Sequence, residues 1–417
     1  MSHSALPPLV YDPFAPAYVA DPYPVLHRFR TECPAYFWEP VKGYIFFRYH
    51  DVMALFREPH LGTDPTLGAG FPPETRAAFP DYVTMRECDL FTLDPDAHAR
   101  IRKLVNPLFT PRAIETHRQR IARIVDEVLD TLPAEGTINF FRDVAQKYPV
   151  RVIAAMLHIP SGHEADFIAL ADALIATIVP GLSPEAFAAY MPAISRGLSI
   201  IRECIAARRD APLADDLLSL LIHACDDEAR LSDSELLSLV GGLLIGGTDT
   251  TVHLTTYTVL ELLRHPEQLA LVRAEPSLAR LALDETLRYN PFGRGPGVAR
   301  FARASFFYQG VRIERGQTVF LNMMSAFRDP EFIADADVFD IRRRINASPW
   351  FGLGPHFCVG ASLARLEAEL ALQGFLARYP RIELTSEPVY GQHPVFRDII
   401  DLPLRVTRLE PGFDQDI

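Results

Sequence analysis

Several groups of residues in the sequence have types and spacings suited to chemistry. The most specific is Phe351-Gly-Leu-Gly354-Pro-His356-Phe-Cys358-Val-Gly360, where one cysteine stands among glycines just before a helical pattern. The unpaired N–H groups and positive dipole at a helix start favour a thiolate and can hold that anion against a cationic metal. Gly354 and Gly360 permit backbone angles and close approaches that a side chain would block. A second group, Gly246-Gly247-Thr248-Asp249-Thr250-Thr251, lies in the middle of the longest helical pattern. Two adjacent glycines there cost about 1 kcal/mol each relative to alanine, so something must offset them. His98 and Arg102 lie four apart and share a helical face, and Glu285 and Arg288 lie three apart on another.

Each group also has a plainer reading. A lone cysteine is most often a buried core residue, and Gly-Gly most often serves close helix packing. His98 with Arg102 reads as an exposed basic face. Glu285 with Arg288 reads as a surface salt bridge worth about 0 to 1 kcal/mol.

Apolar residues at three- and four-residue intervals predict helices over 111–132, 144–157, 164–178, 184–208, 232–264, 277–289 and 361–379. Ser232 and Glu235 form a capping-box pattern at the start of the longest, and His265-Pro266 stops it. Shorter helices are expected near 22–30 and 51–56, and strands at 35–38, 43–48, 297–301, 311–313 and 318–321. The stretch 59–96, crowded with Pro, Gly, Asp and Thr, reads as an irregular, substrate-facing loop, and 328–357 as another long loop leading to Cys358. The fold class expected is mainly α with a small β region. No linker, repeat or low-complexity tract divides the 417 residues, which are read as a single domain with a short N-terminal extension over 1–20.

A 48% hydrophobic, 23% charged composition supports a large core, and a net charge of −12 carries no sequence-wide basic footprint for nucleic acid. The N-terminus lacks a secretory pattern. The 238–260 stretch is long enough to span a membrane, but Asp249, His253 and its threonines fit a buried helix better. The five cysteines, Cys33, Cys88, Cys204, Cys225 and Cys358, are odd in number and scattered, which points to a reducing cytoplasm and no disulfide framework.

The segment around Cys358 resembles the haem-binding loop of cytochromes P-450, and the resemblance extends over essentially the whole chain. It implies the helix-rich triangular prism of that family, with a long central helix over haem b (iron protoporphyrin IX). By resemblance Cys358 is the axial ligand of the haem iron, and Phe351 and Gly360 belong to its loop. His98, Arg102, Arg300 (in VARFARA) and His356 match contacts to the haem propionates. Gly246 opens the oxygen-activating groove, where Asp249 and Thr250 match the acid and alcohol that deliver protons. Glu285 and Arg288 match a structural Glu-x-x-Arg pair, buried with an arginine from the segment before the cysteine loop.

The implied activity is insertion of one oxygen atom from O2 into a lipophilic small molecule of fatty-acid, terpenoid, steroid or macrolide type. FDIRR, GPHFCVGASLARLEAE and PVYGQHPVFRDI resemble bacterial members that epoxidise macrolides. Phe292, Val395 and Leu243 are the pocket candidates. The family pattern implies a cytoplasmic monomer without membrane or nucleic-acid partners. Its electrons come from a separate ferredoxin or flavodoxin with an NAD(P)H-dependent reductase, docking on Arg100, Lys103, Arg112, Arg342, Arg343, Arg344 and Arg365. A haem carrier or sensor without turnover, and a peroxide-driven peroxygenase, are the alternative readings; the intact Asp249-Thr250 pair argues against both.

Overall fold

The computed structural model describes residues 9–67, 69–93, 95–177, 182–212, 216–224, 230–344 and 349–408. Cys225, Ile178 and the first residues of the N-terminal extension lie outside them. The chain forms two compact units, each assembled from separate stretches of sequence.

The first unit comprises the described residues up to Leu67, then Arg288–Val338 and Gln392–Arg397. Its centre is a five-stranded sheet in the order Ala35–Trp38, Gly43–Phe46, Thr318–Leu321, Val298–Ala302, Leu61–Gly62. Aromatic and β-branched residues dominate these strands, as suits a pleated, half-buried surface. Gly43–Phe46 pairs parallel with Thr318–Leu321; the other neighbours are antiparallel. Phe29, from the helix Tyr23–Glu32, stacks on Phe47 with ring centroids 4.7 Å apart. Gly297, at φ +118°, immediately precedes the strand that carries Arg300; a Cβ there would come within 2.1 Å of the Leu321 carbonyl oxygen, so only glycine fits.

The second unit is mainly helical, built around the long helix Asp233–Arg264. Its capping box is formed as the sequence predicts, and it ends at Arg264 ahead of His265-Pro266. The helices Tyr148–Met156, Glu164–Thr177, Pro184–Arg209 and Ala361–Arg378 pack against it. Among the described residues, no helix is long and apolar enough to cross a membrane.

Several expectations change. The stretch 59–96 holds two short helices, Pro73–Ala78 and Pro80–Glu87. The prolines that read as breakers occupy first-turn positions, where the missing N–H costs nothing. The expected helix 111–132 is two, Pro111–Glu115 and Arg118–Leu129. The one expected from 144 begins as a π-helical turn, Phe141–Ala145, before Tyr148–Met156. An antiparallel sheet of Glu135–Asn139, Pro403–Thr407 and Arg381–Leu384 had no sequence forecast. Its strands are short and non-local, and pairing rather than pattern defines them.

Candidate active site

Cys358 sits two residues after the end of the 3-10 turn Gly354–His356 and three before the start of the helix Ala361–Arg378. Its backbone N–H donates to the Phe351 carbonyl oxygen at 2.7 Å, which closes the loop on itself. Gly352 and Gly354 adopt φ of +81° and +64°, the left-handed turns that bring the cysteine back to the helix start. Gly360, expected to need similar freedom, has φ −81°, and a Cβ there would meet the Cys358 sulfur at an ordinary 4.0 Å. The requirement falls instead on Gly352.

The thiol is open to solvent on one side and enclosed by protein on the other. Enclosure raises its pKa, while the backbone N–H groups of Gly360 and Ala361 and the charges of Arg102 and Arg365 oppose that rise. These groups favour a thiolate once a cation compensates the burial. Arg365, on that helix, lies over the Phe351 ring at 4.3 Å and donates to Asp284 at 2.9 Å, so it is held against the loop.

His98 and Arg102, on the helix Pro95–Val105, come to the same place. The His98 and His356 rings are 4.1 Å apart, and the charge of Arg102 acts on Cys358. His98 is buried and its pKa lowered, first by burial and then by Arg102. Arg102 Nε is buried without a hydrogen-bond partner. A desolvated guanidinium beside two imidazoles is incomplete without an anionic ligand.

Arg300, on the strand Val298–Ala302 of the first unit, is in a similar condition. Its guanidinium lies over the Phe56 ring at 4.9 Å and donates to the Ala299 carbonyl at 2.9 Å; burial holds its pKa down to about 10. Among the described residues neither arginine has a carboxylate partner. Within the second unit, Cys358 and Arg102 fit a prosthetic group with a metal for the sulfur and a carboxylate for the arginine.

The long helix is buried over nearly all of its centre, with one window. Gly246 is exposed, and Gly247, Asp249 and Thr250 are half-buried, whereas 251–262 are buried without a break. A Cβ on Gly242 or Gly246 would meet nothing within 4 Å, so this face borders open space. The helix stays continuous through the window instead of breaking open. The hydroxyls of Thr248 and Thr250 donate to the Leu244 and Gly246 carbonyls at 2.7 and 2.6 Å, which keeps the turn closed. Asp249 has a pKa pushed up to about 7, by burial first and then by the charge of Asp172. Sequence alone does not single out Asp172, one acid among many on a helix.

The structural pair is placed as follows. Glu285, 1% exposed, accepts from the Asp340 backbone N–H at 3.0 Å and faces Arg343 at 3.4 Å. Arg288 donates to the carbonyls of Ala336, Phe327 and Val338 at 2.7, 3.2 and 2.9 Å. Of the pocket candidates, Phe292 and Val395 lie on two strand-like segments joined by the Gly293–Phe396 bridge, with Arg294 N–H donating to the Val395 carbonyl and Arg397 N–H to that of Phe292, both at 2.8 Å. Leu243 lies one turn before Gly246 on the long helix and is buried. Of the expected docking cations, Arg342, Arg344, Lys103 and Arg112 are exposed. Arg100, Arg343 and Arg365 already face Glu235, Glu285 and Asp284.

An open thiol at a helix start, the desolvated Arg102 beside it and a glycine window on a long buried helix together define a haem-thiolate class of protein. Comparison with known proteins agrees. The family model described as Cytochrome P450 matches residues 198–388. The epothilone C/D epoxidase of Sorangium cellulosum is 41% identical over 399 residues, 95% of each chain. The cytochrome P450 monooxygenase PikC of Streptomyces venezuelae is 33% identical over 94% of this chain and 92% of its own. The crystal structure of epothilone D-bound P450epoK superposes with a TM-score of 0.89 at 40% identity, covering 96% of this chain and all of the other. The chain belongs to the cytochrome P450 family and is a monooxygenase, an oxygen-incorporating oxidoreductase that uses haem.

Proposed function

We propose that the chain binds haem b through the Cys358 thiolate, with Phe351 and Gly360 shaping the loop and His98, Arg102, His356 and Arg300 holding the propionates. The observation that carries this reading is the open Cys358 sulfur, with the amides of Gly360 and Ala361 aimed at it and an arginine lacking a partner beside it. When bound, the haem supplies oxygen activation and the electron chemistry.

The protein contributes proton control and orientation. Thr250 donates its hydroxyl hydrogen to the Gly246 carbonyl, which leaves its oxygen lone pairs to accept from water or from Asp249. A carboxyl with a pKa of about 7 is poised to give and regain a proton near neutral pH. Gly246 keeps the window clear of side-chain atoms. This intact acid–alcohol pair favours oxygen-driven turnover over a carrier, a sensor or a peroxide-driven enzyme.

The substrate read from the relatives is a large lipophilic molecule of macrolide or other polyketide type. One relative is named for epothilone epoxidation and another, 32% identical, for hydroxylation of 6-deoxyerythronolide B. Phe292, Val395 and Leu243 are the proposed contacts. Electrons come from a separate ferredoxin or flavodoxin and its reductase. Titrating the haem-loaded protein with epothilone D, a 12- to 16-carbon fatty-acid series and a steroid tests the assignment. A low-to-high-spin shift is expected with the macrolide and weaker shifts with the rest; a response to fatty acids alone overturns the substrate class.

A further inference from the structure

His393, in the motif PVYGQHPVFRDI, opens the turn that carries Val395. Pro394 follows it with φ fixed and no N–H to give, so the first backbone donors after His393 are those of Val395 and Phe396. Both donate to His393 Nδ1, at 3.2 and 3.0 Å. An acceptor placed two and three residues before its donors is how Asn and Asp side chains close turns, and here an imidazole supplies it. The ring also stacks on that of Phe396, with centroids 4.8 Å apart and planes 20° from parallel. A ring nitrogen that accepts carries no proton, so the imidazole acts in its neutral form. Burial first, and then the charge of Arg294, hold its pKa down to about 4 and keep it neutral.

This turn is one side of a two-segment wall that lies wholly in the first unit. The Arg294 and Arg397 amides, each bonded to a carbonyl across the gap, and the Gly293–Phe396 bridge join its sides, and Phe396 meets Phe292 edge-on at 5.8 Å. The other side runs through Gly293, Gly295, Pro296 and Gly297, a sequence that forms no regular ladder of its own. The N-terminal stretch holds it. The Tyr11 hydroxyl donates to the Gly295 carbonyl at 2.8 Å and lies 3.2 Å from the hydroxyl of Tyr18. The buried Tyr11 ring is set edge-on against Tyr18, Phe29 and Trp38, so its hydroxyl is offered from a fixed position. Beside it the Phe14 ring lies 5.2 Å from the Arg294 guanidinium.

We propose that His393 and Tyr11 are positioning residues for substrate selection: His393 binds the amides of Val395 and Phe396, Tyr11 binds the carbonyl of Gly295, and together they fix the two segments that present Val395 and Phe292. The proposal rests on Phe292 and Val395 being substrate contacts. His393 and Tyr11 act through the wall and give no group to the substrate. Losing either clasp lets a segment relax and lowers affinity for a molecule shaped to it. Cys358 and the long helix belong to the second unit and take part in none of these bonds.

The test uses the haem-loaded full chain with epothilone D as the probe. His393→Phe keeps a ring to stack on Phe396 but has no acceptor, His393→Asn restores an acceptor at the same place, and Tyr11→Phe removes a single hydroxyl. In His393→Phe the spin-shift Kd and the KM should rise about tenfold, because two backbone donors lose their acceptor. Its kcat, haem content and carbon monoxide spectrum should match the parent, while hydrogen exchange quickens in the peptide containing Val395 and Phe396. His393→Asn should bring Kd and exchange back to within about twofold of the parent. Tyr11→Phe should raise Kd about threefold and leave that peptide's exchange unchanged. Val395→Ala checks the contact itself. If it weakens epothilone D while His393→Phe and Tyr11→Phe bind as the parent does, the positioning role is wrong and the pocket stands. If Val395→Ala binds as the parent does, or the parent gives no spin shift with epothilone D, the pocket reading fails and the positioning role with it. Loss of haem together with affinity in His393→Phe, without rescue by asparagine, would overturn the role by making His393 a support of the fold alone.

Discussion

The Thr250 hydroxyl donates to the carbonyl oxygen of Gly246 at 2.6 Å, one turn back along the long helix and at the point where that helix is most open. The bond fixes the rotamer of a residue that otherwise faces open space, and so fixes where its oxygen can accept a proton. Thr250→Ala should leave haem binding and NADPH use in place but lower product per NADPH by about tenfold or more, with a matching rise in hydrogen peroxide. Thr250→Ser keeps the hydroxyl and should recover most of the coupling. Full coupling in the alanine variant, with a substrate that carries no hydroxyl of its own, would remove Thr250 from the proton path.

Cys358 closes its own loop through the 2.7 Å bond to Phe351, a backbone contact that survives side-chain substitution. Cys358→His should therefore fold and bind haem, but the reduced carbon monoxide complex should lose the red-shifted Soret band of thiolate ligation. Retention of that band in Cys358→His, with loss in a variant of Cys33, Cys88 or Cys204, would move the axial ligand elsewhere.

Arg102 and Arg300 are desolvated cations without carboxylates of their own among the described residues. Replacing both by alanine removes charged hydrogen bonds worth about 1.5–3 kcal/mol each, so haem transfer to apomyoglobin should accelerate at least about tenfold with the axial spectrum unchanged. The same transfer rate as the parent would assign the two arginines to another anion.

Glu285 holds the Asp340 backbone and faces Arg343 while almost fully buried. Glu285→Ala leaves that N–H and a cation without their acceptor and should destabilise the fold by about 3 kcal/mol or more, read from urea unfolding of the haem-loaded protein. Arg342→Ala, an exposed neighbour, should change stability by less than about 0.5 kcal/mol.

Glu367 is 1% exposed, and its Oε2 has no hydrogen-bond partner. Burial raises its pKa well above the ordinary 4.5, so the folded state keeps a proton that the unfolded state releases. Its contribution to stability is present below pH 4.5 and is lost as pH rises toward the folded pKa. Glu367→Gln should flatten that decline, gaining on the parent at pH 8 relative to pH 5 in denaturant midpoints, two values chosen roughly to bracket the window. Parallel curves for the two proteins would show that the carboxyl is ionised and paired in the fold.

Sequence by itself determined the parts whose signal is local. The capping box of Ser232 and Glu235, the stop at His265-Pro266 and the Gly-rich turn before Cys358 are written in adjacent residues, and backbone chemistry enforces them wherever they occur. The candidate site residues were legible for the same reason, as short motifs around Cys358, Asp249, His98 and Glu285. Tertiary structure decided what depends on partners distant in sequence. Only packing brings the His98 ring onto that of His356, gives Glu285 its Arg343 and leaves Arg102 without a partner. The sheet of Glu135–Asn139, Pro403–Thr407 and Arg381–Leu384 was unreadable because each strand is too short to declare a period until its neighbours supply the hydrogen bonds. Whether a proline breaks a helix or begins one was also undecided: at Pro73 and Pro80 the residues that follow, free to make helical bonds, settled it as a beginning.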